Sequence, residues 1–149
     1  MWRVSDRERG FTLIEILVVI TVIAVLASLV SPMVFRHVGD ARITAARAQM
    51  EIFSLALDAY RLDNDRYPST AQGLEALVKS PDLAPLPRNW RGPYLRGGVL
   101  PLDPWGRAYH YASPGTSGTG DYDLSSLGRD GQAGGSDEDG DVTSWQASP

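Results

Sequence analysis

Between Phe11 and Phe35 the chain runs through 25 residues in which Glu15 is the one charged side chain. A helix of that length rises about 38 Å at 1.5 Å per residue, enough to cross the roughly 30 Å hydrocarbon core of a bilayer. A carboxylate carried to the centre of a membrane costs about 2.5–3.5 kcal/mol. A plain anchor has no use for it, and on its own Glu15 reads as a carboxylate in the head-group region. A helix that later leaves lipid and packs against copies of itself has a use for it. The segment also contains Val25-Leu26-Ala27, which could end an ordinary secretory signal. Against that, Glu15 interrupts the apolar core and apolar sequence continues to Phe35.

Residues 1–10 are charged, with Arg3, Arg7 and Arg9 against Asp6 and Glu8. The positive excess beside the apolar run predicts a cytoplasmic location for this end. The remainder of a 149-residue chain suffices for one small domain. Net charge is −4, so no broad nucleic-acid surface is expected. Cysteine is absent, so no disulfide can stabilise an exported domain.

The spacing predicts helix over 11–31, kinked or opened at Pro32, with Gly39 a second weak point. An amphipathic helix then resumes to about Leu62. Ala46, Met50, Phe53, Leu57 and Tyr60 recur at intervals of three and four, one helical face, and read as ordinary core. The whole helix would span roughly 50 residues and about 75 Å. Its first half has no partner in the monomer; its second half packs under a small head. Asn64, Asp65 and Tyr67-Pro68 end it. Ser69 and Gln72 form a capping box that predicts a short helix to about Lys79. Residues 81–106 are rich in Pro and Gly and read as an extended loop. Asp103-Pro104-Trp105-Gly106 reads as a turn. Tyr109 and Tyr111 alternate as one strand, and Tyr122, Leu124 and Ser126 as the returning strand. Val142 to Trp145 is apolar enough to tuck back onto the head.

Several blocks carry a family resemblance. Gly10-Phe11-Thr12-Leu13-Ile14-Glu15 after a charged leader resembles the prepilin signature of type IV pilins and type II secretion pseudopilins. Tyr67-Pro68-Ser69-Thr70, Gln72-Gly73-Leu74, Asp103-Pro104-Trp105-Gly106, Ser126-Leu127-Gly128 with Asp130-Gly131, and Ser144-Trp145 follow in order. Together they resemble the major pseudopilins of type II secretion systems. The resemblance implies an α+β, type IV pilin-like fold: a long N-terminal helix, a small C-terminal antiparallel sheet and an ordered metal-binding loop. It implies a leader over 1–10, a transmembrane and filament-core helix over 11–35, and a periplasmic head over 36–149. A prepilin peptidase and N-methyltransferase would cut after Gly10 and methylate Phe11. Glu15 would serve assembly.

The implied protein is a structural subunit and not an enzyme. It would sit in the bacterial inner membrane with a single pass, then polymerise with itself into a periplasmic pseudopilus that drives export of folded proteins. Minor pseudopilins and the inner-membrane assembly platform would be its other partners. The alternatives are a type IV pilin, a minor pseudopilin, or a non-polymerising membrane-anchored calcium-binding module.

Residues 121–141 hold seven acids against one base, Arg129. Asp130, Asp137, Asp139 and Asp141 are hard oxygen donors among glycines, a combination that suits calcium. The spacing is not that of an EF-hand, with Val142 and Ser148 where Gly and Glu are needed. On charge alone the loop is either a divalent site or a solvated surface. The resemblance implies one Ca2+, held by the Leu127 carbonyl, Asp130, a carbonyl near Gln132, Asp137 and Asp139, with Asp141 able to replace Asp139. Arg129 stands where the family usually has a small residue. No nucleophile elbow surrounds Ser125 or Ser126, and His37 and His110 are isolated.

Overall fold

A computed structural model of the chain describes residues 10–117 and 120–145, without the side chains of residues 29–36. The expected leader over 1–10 therefore lies outside the described residues except for Gly10. Helix α1 covers Leu13–Asn64. Its 52 residues match the single long helix expected, and its assignment runs uninterrupted through Pro32; an internal proline removes one donor and α1 continues beyond it. Among the described residues no helix is long and apolar enough to cross a membrane. The span expected over 11–35 reaches into side chains outside the description.

The described residues form two units that divide between Val38 and Gly39. In the first, apolar side chains are exposed on all sides of the helix over residues 13–26, Leu13 at 83% and Val18 at 53%. A helix that is apolar all round calls for an apolar surrounding, which its own unit does not supply.

The second unit holds the core. Ala46, Met50, Phe53, Leu57 and Tyr60 are all buried, as the helical spacing predicts. They pack with Leu74, Leu77, Leu95, Tyr109, Leu124 and Val142 in one cluster. Phe53 meets Tyr109 edge to face, with centroids 5.1 Å apart and planes at 75°. At the end of α1, Asn64 is fully buried. Its Nδ2 donates to the Tyr60 carbonyl at 2.9 Å, and its Oδ1 accepts from the Asn89 amide at 3.0 Å. Asp65 then turns left-handed at φ 63°, which stops the helix.

The capping box at Ser69 forms reciprocally. The Gln72 amide donates to Ser69 Oγ at 3.3 Å, and Gln72 Oε1 accepts from the Ser69 amide at 2.9 Å. The helix expected to run to Lys79 does not follow: only a 3-10 turn, Leu74–Leu77, forms. Gly73, at φ 61° and ψ −169°, takes the backbone out of helical geometry just after the cap.

Three short strands make the sheet: β1 His110–Ala112, β2 Asp123–Ser126 and β3 Val142–Thr143. They pair antiparallel in that order, with Tyr111 opposite Leu124 and Ser126 opposite Val142. The segment expected only to tuck back thus becomes a strand. The Asp103 turn is fastened to the sheet by its carboxylate. Its Oδ1 accepts from the Trp105 and Arg107 amides at 3.0 and 2.8 Å, and its Oδ2 accepts from Ser126 Oγ at 2.6 Å. The architecture is α+β.

Two connections in the head depend on particular residues. In the turn between β1 and β2, Asp123 accepts from the Thr116 and Ser117 amides at 2.6 and 2.9 Å and from both of their hydroxyls. These donors, the Ser117 hydroxyl foremost, hold its carboxyl down at about 2. An unfolded Asp titrates near 3.9, so this contribution to stability is complete above about pH 4 and lost as pH falls toward 2. Asp123→Asn is expected to melt lower than wild type at pH 7, with the difference shrinking between pH 4 and pH 2; a thermal melt series across pH checks it.

Between β2 and β3, Gly128 sits at φ 61°, and a Cβ there would lie 2.7 Å from the carbonyl oxygens of Glu138 and Gly140. Gly134, at φ 98°, has nothing within 4 Å of such a Cβ. Gly128→Ala is expected to cost well over about 1 kcal/mol, because strain and a backbone clash combine. Gly134→Ala meets the strain alone and costs less. Denaturant unfolding of the two variants side by side measures the gap.

Candidate metal loop and processing segment

At the N-terminal end, Gly10 is exposed, with open space where a Cβ would stand, and Phe11 is 79% exposed. Thr12 Oγ1 accepts from the Glu15 amide at 3.2 Å, so Thr12 caps α1 and Glu15 lies in its first turn. A carboxylate there is stabilised by the helix dipole. This gives Glu15 a second use, one that the form Thr12-x-x-Glu15, that of a capping box, marks in the sequence. Residue 9 and those before it, including the basic side of the cleavage motif, lie outside the described residues.

The acidic loop, residues 127–141, is connected to β2 and β3 at its ends and folds over two guanidinium groups. Arg107 Nη1 donates to the carbonyls of Gly128 and Arg129 at 2.9 and 2.6 Å. Arg129 Nε and Nη2 donate to the two carboxylate oxygens of Asp139, each at 2.9 Å. Arg129 Nη1 also lies 3.4 Å from Glu138, which in turn is 3.9 Å from Arg42 on α1. The Arg129 hydrogen bonds hold the Asp139 carboxyl below the usual carboxylate range.

The expected ligands stand as follows. The Leu127 carbonyl accepts from the Gly131 amide at 3.1 Å. Asp130 is exposed, and its Oδ1 accepts from the Gln132 amide at 3.0 Å, an Asx turn that places the Gln132 backbone beside it. Asp137 is exposed and begins a 3-10 turn, Asp137–Asp139, at φ 53°. Asp139 is committed to Arg129 through both of its oxygens. Asp141 accepts from the Gly134 amide at 2.9 Å through Oδ2, while its Oδ1 is buried and accepts no hydrogen bond. Among the described residues no three carboxylate, histidine or cysteine side chains are gathered into a metal cluster. Arg107 and Glu138 are the loop's structural supports that sequence reading missed. Neither has a local pattern that would mark it, since Arg107 reaches across 21 residues to Gly128.

Comparison with known proteins connects both segments. The family model described as type II secretion system (T2SS), protein G, matches residues 33–145, and the prokaryotic N-terminal methylation motif matches residues 5–31. A type II secretion system core protein G of Pseudomonas aeruginosa is 50% identical over 140 residues, covering 93% of this chain and 96% of its own length. A protein of the same name from Escherichia coli K12 is 46% identical over 144 residues, covering 96% and 94%. Among solved structures, the crystal structure of the major pseudopilin from the type 2 secretion system of enterohaemorrhagic Escherichia coli aligns at a TM-score of 0.62 and 41% identity. That alignment covers 71% of this chain and 88% of the other. The protein G match covers the whole described head, and the methylation motif covers most of the exposed apolar helix of the first unit. By sequence along nearly its whole length and by the fold of its head, the chain belongs to the type II secretion system protein G family.

Proposed function

We propose that this chain is the major structural subunit of a type II secretion pseudopilus, a homopolymer that drives export of folded proteins across the outer membrane. One observation carries the reading: a methylation motif over 5–31 is followed directly by a protein G match over 33–145 on the same chain. The exposed apolar helix of the first unit supports it, because that surface needs a covering that its own unit does not provide among the described residues. In the subunit's life, lipid of the inner membrane covers it first and the helices of neighbouring copies cover it later. The head stands in the periplasm. Minor pseudopilins and the inner-membrane assembly platform are its further partners. The role is structural rather than catalytic.

Processing follows from the same segment. A prepilin peptidase cuts after Gly10, where the lack of a Cβ leaves room for the peptidase's catalytic groups to approach the scissile bond. Phe11 then carries the new, N-methylated terminus. In the filament Glu15 neutralises the ammonium of a neighbouring Phe11, two charges that are costly to desolvate singly. Gly10→Val is expected to retain the leader, whereas Glu15→Ala is expected to be cleaved and inserted normally yet to form few filaments. Mass spectrometry of the N-terminus, with filament counts by electron microscopy, reads both. Mature N-methyl-Phe11 in the Gly10→Val protein would overturn the processing assignment, and normal filaments from Glu15→Ala would overturn the pairing.

The loop's chemistry supports a calcium ion. The buried Asp141 Oδ1 has no donor, and a cation is the partner such an oxygen wants. The Leu127 carbonyl, Asp130, a carbonyl near Gln132, Asp137 and Asp141 would hold it. Asp141 takes the place first given to Asp139, whose two oxygens are bound to Arg129. An ion there would offset the mutual repulsion of the carboxylates and the cost of ordering the loop, and stabilise the head by mass action. Chelation is expected to lower the melting temperature, and calcium to restore it better than magnesium, which tolerates flexible mixed donors poorly. Asp130→Ala should abolish most of that response. A melt indifferent to chelator, in protein verified to be metal-free, would leave the loop a solvated surface.

A further inference from the structure

We propose that Arg129 is a resident cation of the acidic loop: it orders Glu138 and Asp139 in the absence of metal and opposes the binding of a divalent ion. The second half of this proposal rests on the calcium reading above. The geometry is specific. The guanidinium fork takes both oxygens of Asp139 at 2.9 Å and approaches Glu138 at 3.4 Å, while the Arg129 amide donates to the Glu138 carbonyl at 2.7 Å. One residue thus fastens two consecutive acids by side chain and backbone together.

Two consequences follow for an incoming ion. To recruit Asp139 it must displace a bidentate charged pair, the strongest hydrogen-bond geometry open to a carboxylate. It must also approach a fixed positive charge, and two like charges repel even at an exposed site where solvent screens them. Of Asp139 and Asp141, the one left to join Asp130 and Asp137 is Asp141, whose Oδ1 is buried without a donor. Arg129 therefore selects which acid faces the metal and weakens the affinity of the site. It also makes the folded loop less dependent on metal than its count of acids suggests.

The test uses the full chain in detergent micelles, stripped of metal, as wild type, Arg129→Gln and Arg129→Lys. Calcium is titrated by calorimetry, and melting is recorded in chelator and in calcium. Arg129→Gln is expected to bind calcium about three- to tenfold more tightly than wild type, since solvent screens the exposed guanidinium. In chelator it should melt about 2–6 °C lower, the worth of a small ion-pair network. Its rise in melting temperature on adding calcium should exceed that of wild type. Arg129→Lys keeps the charge without the fork, so it should fall between the two on every measure. A merely structural arginine would lower melting in chelator without raising affinity.

If wild type binds calcium and Arg129→Gln binds it no more tightly, the proposal is overturned while the calcium reading stands. If wild type and both variants, folded by circular dichroism, bind no calcium, the calcium reading falls and the opposition with it. Should Arg129→Gln fail to fold, Arg129→Lys decides: affinity equal to that of wild type overturns the role of the fork.

Discussion

The buried face of α1 is the wall on which the head is built. β1, β2 and β3 have three, four and two residues, and a sheet that small is marginal in water without something to pack on. Met50, Phe53, Leu57 and Tyr60 supply it, meeting Leu124 of the central strand and Val142 of the last one in a single cluster. The 3-10 turn at Leu74–Leu77 and Leu95 complete the same cluster. With no cysteine in the chain, nothing covalent backs up this contact. The fold of the head is therefore held by one helix face and by polar fastenings: Asn64 at the helix end, Asp103 beside Ser126 and Asp123 under its turn.

Those fastenings have a common form. In each, a short polar side chain accepts from backbone amides that a loop would otherwise leave unpaired, although Trp105 Nε1, Tyr109 OH and Thr143 Oγ1 stay buried without a partner. The acidic loop extends the scheme with charge. Arg107 satisfies carbonyls and Arg129 satisfies carboxylates, so the loop carries cations from both its own sequence and a neighbouring segment. Only the Oδ1 of Asp141 is left over among the loop's acids as a buried oxygen with no partner.

Much of this was legible in the residues. The apolar periodicity located the core face of α1, missing only Ala56, because burial on one side of a helix leaves a repeat of three and four that nothing else produces. The Asp103 turn and the Ser69 capping box were readable because each is decided within five residues. The failures are long-range or conformational. The helix expected after Ser69 stops because Gly73 adopts a positive φ, a choice that glycine permits but does not announce. The pairing of Arg129 with Asp139 depends on a turn at Asp137 that brings together residues ten apart. The acidic cluster was visible from composition, yet which acid is spent on arginine and which is left over is set by the path of the chain. Thr12 and Glu15 are the opposite case: their cap is decided within four residues and is local, like that at Ser69.

The register at the far side of the sheet has one more consequence. Ser126 pairs with Val142, so the strands hold both ends of residues 127–141 against each other. The acidic loop is thus a tethered ring whose ends have already met. The entropy of closing it, which grows only slowly with the number of residues enclosed, is charged to the β2–β3 pairing and not to whatever settles inside. A cation that enters, whether a guanidinium or an ion from solution, orders the interior of a ring without having to draw its two ends together.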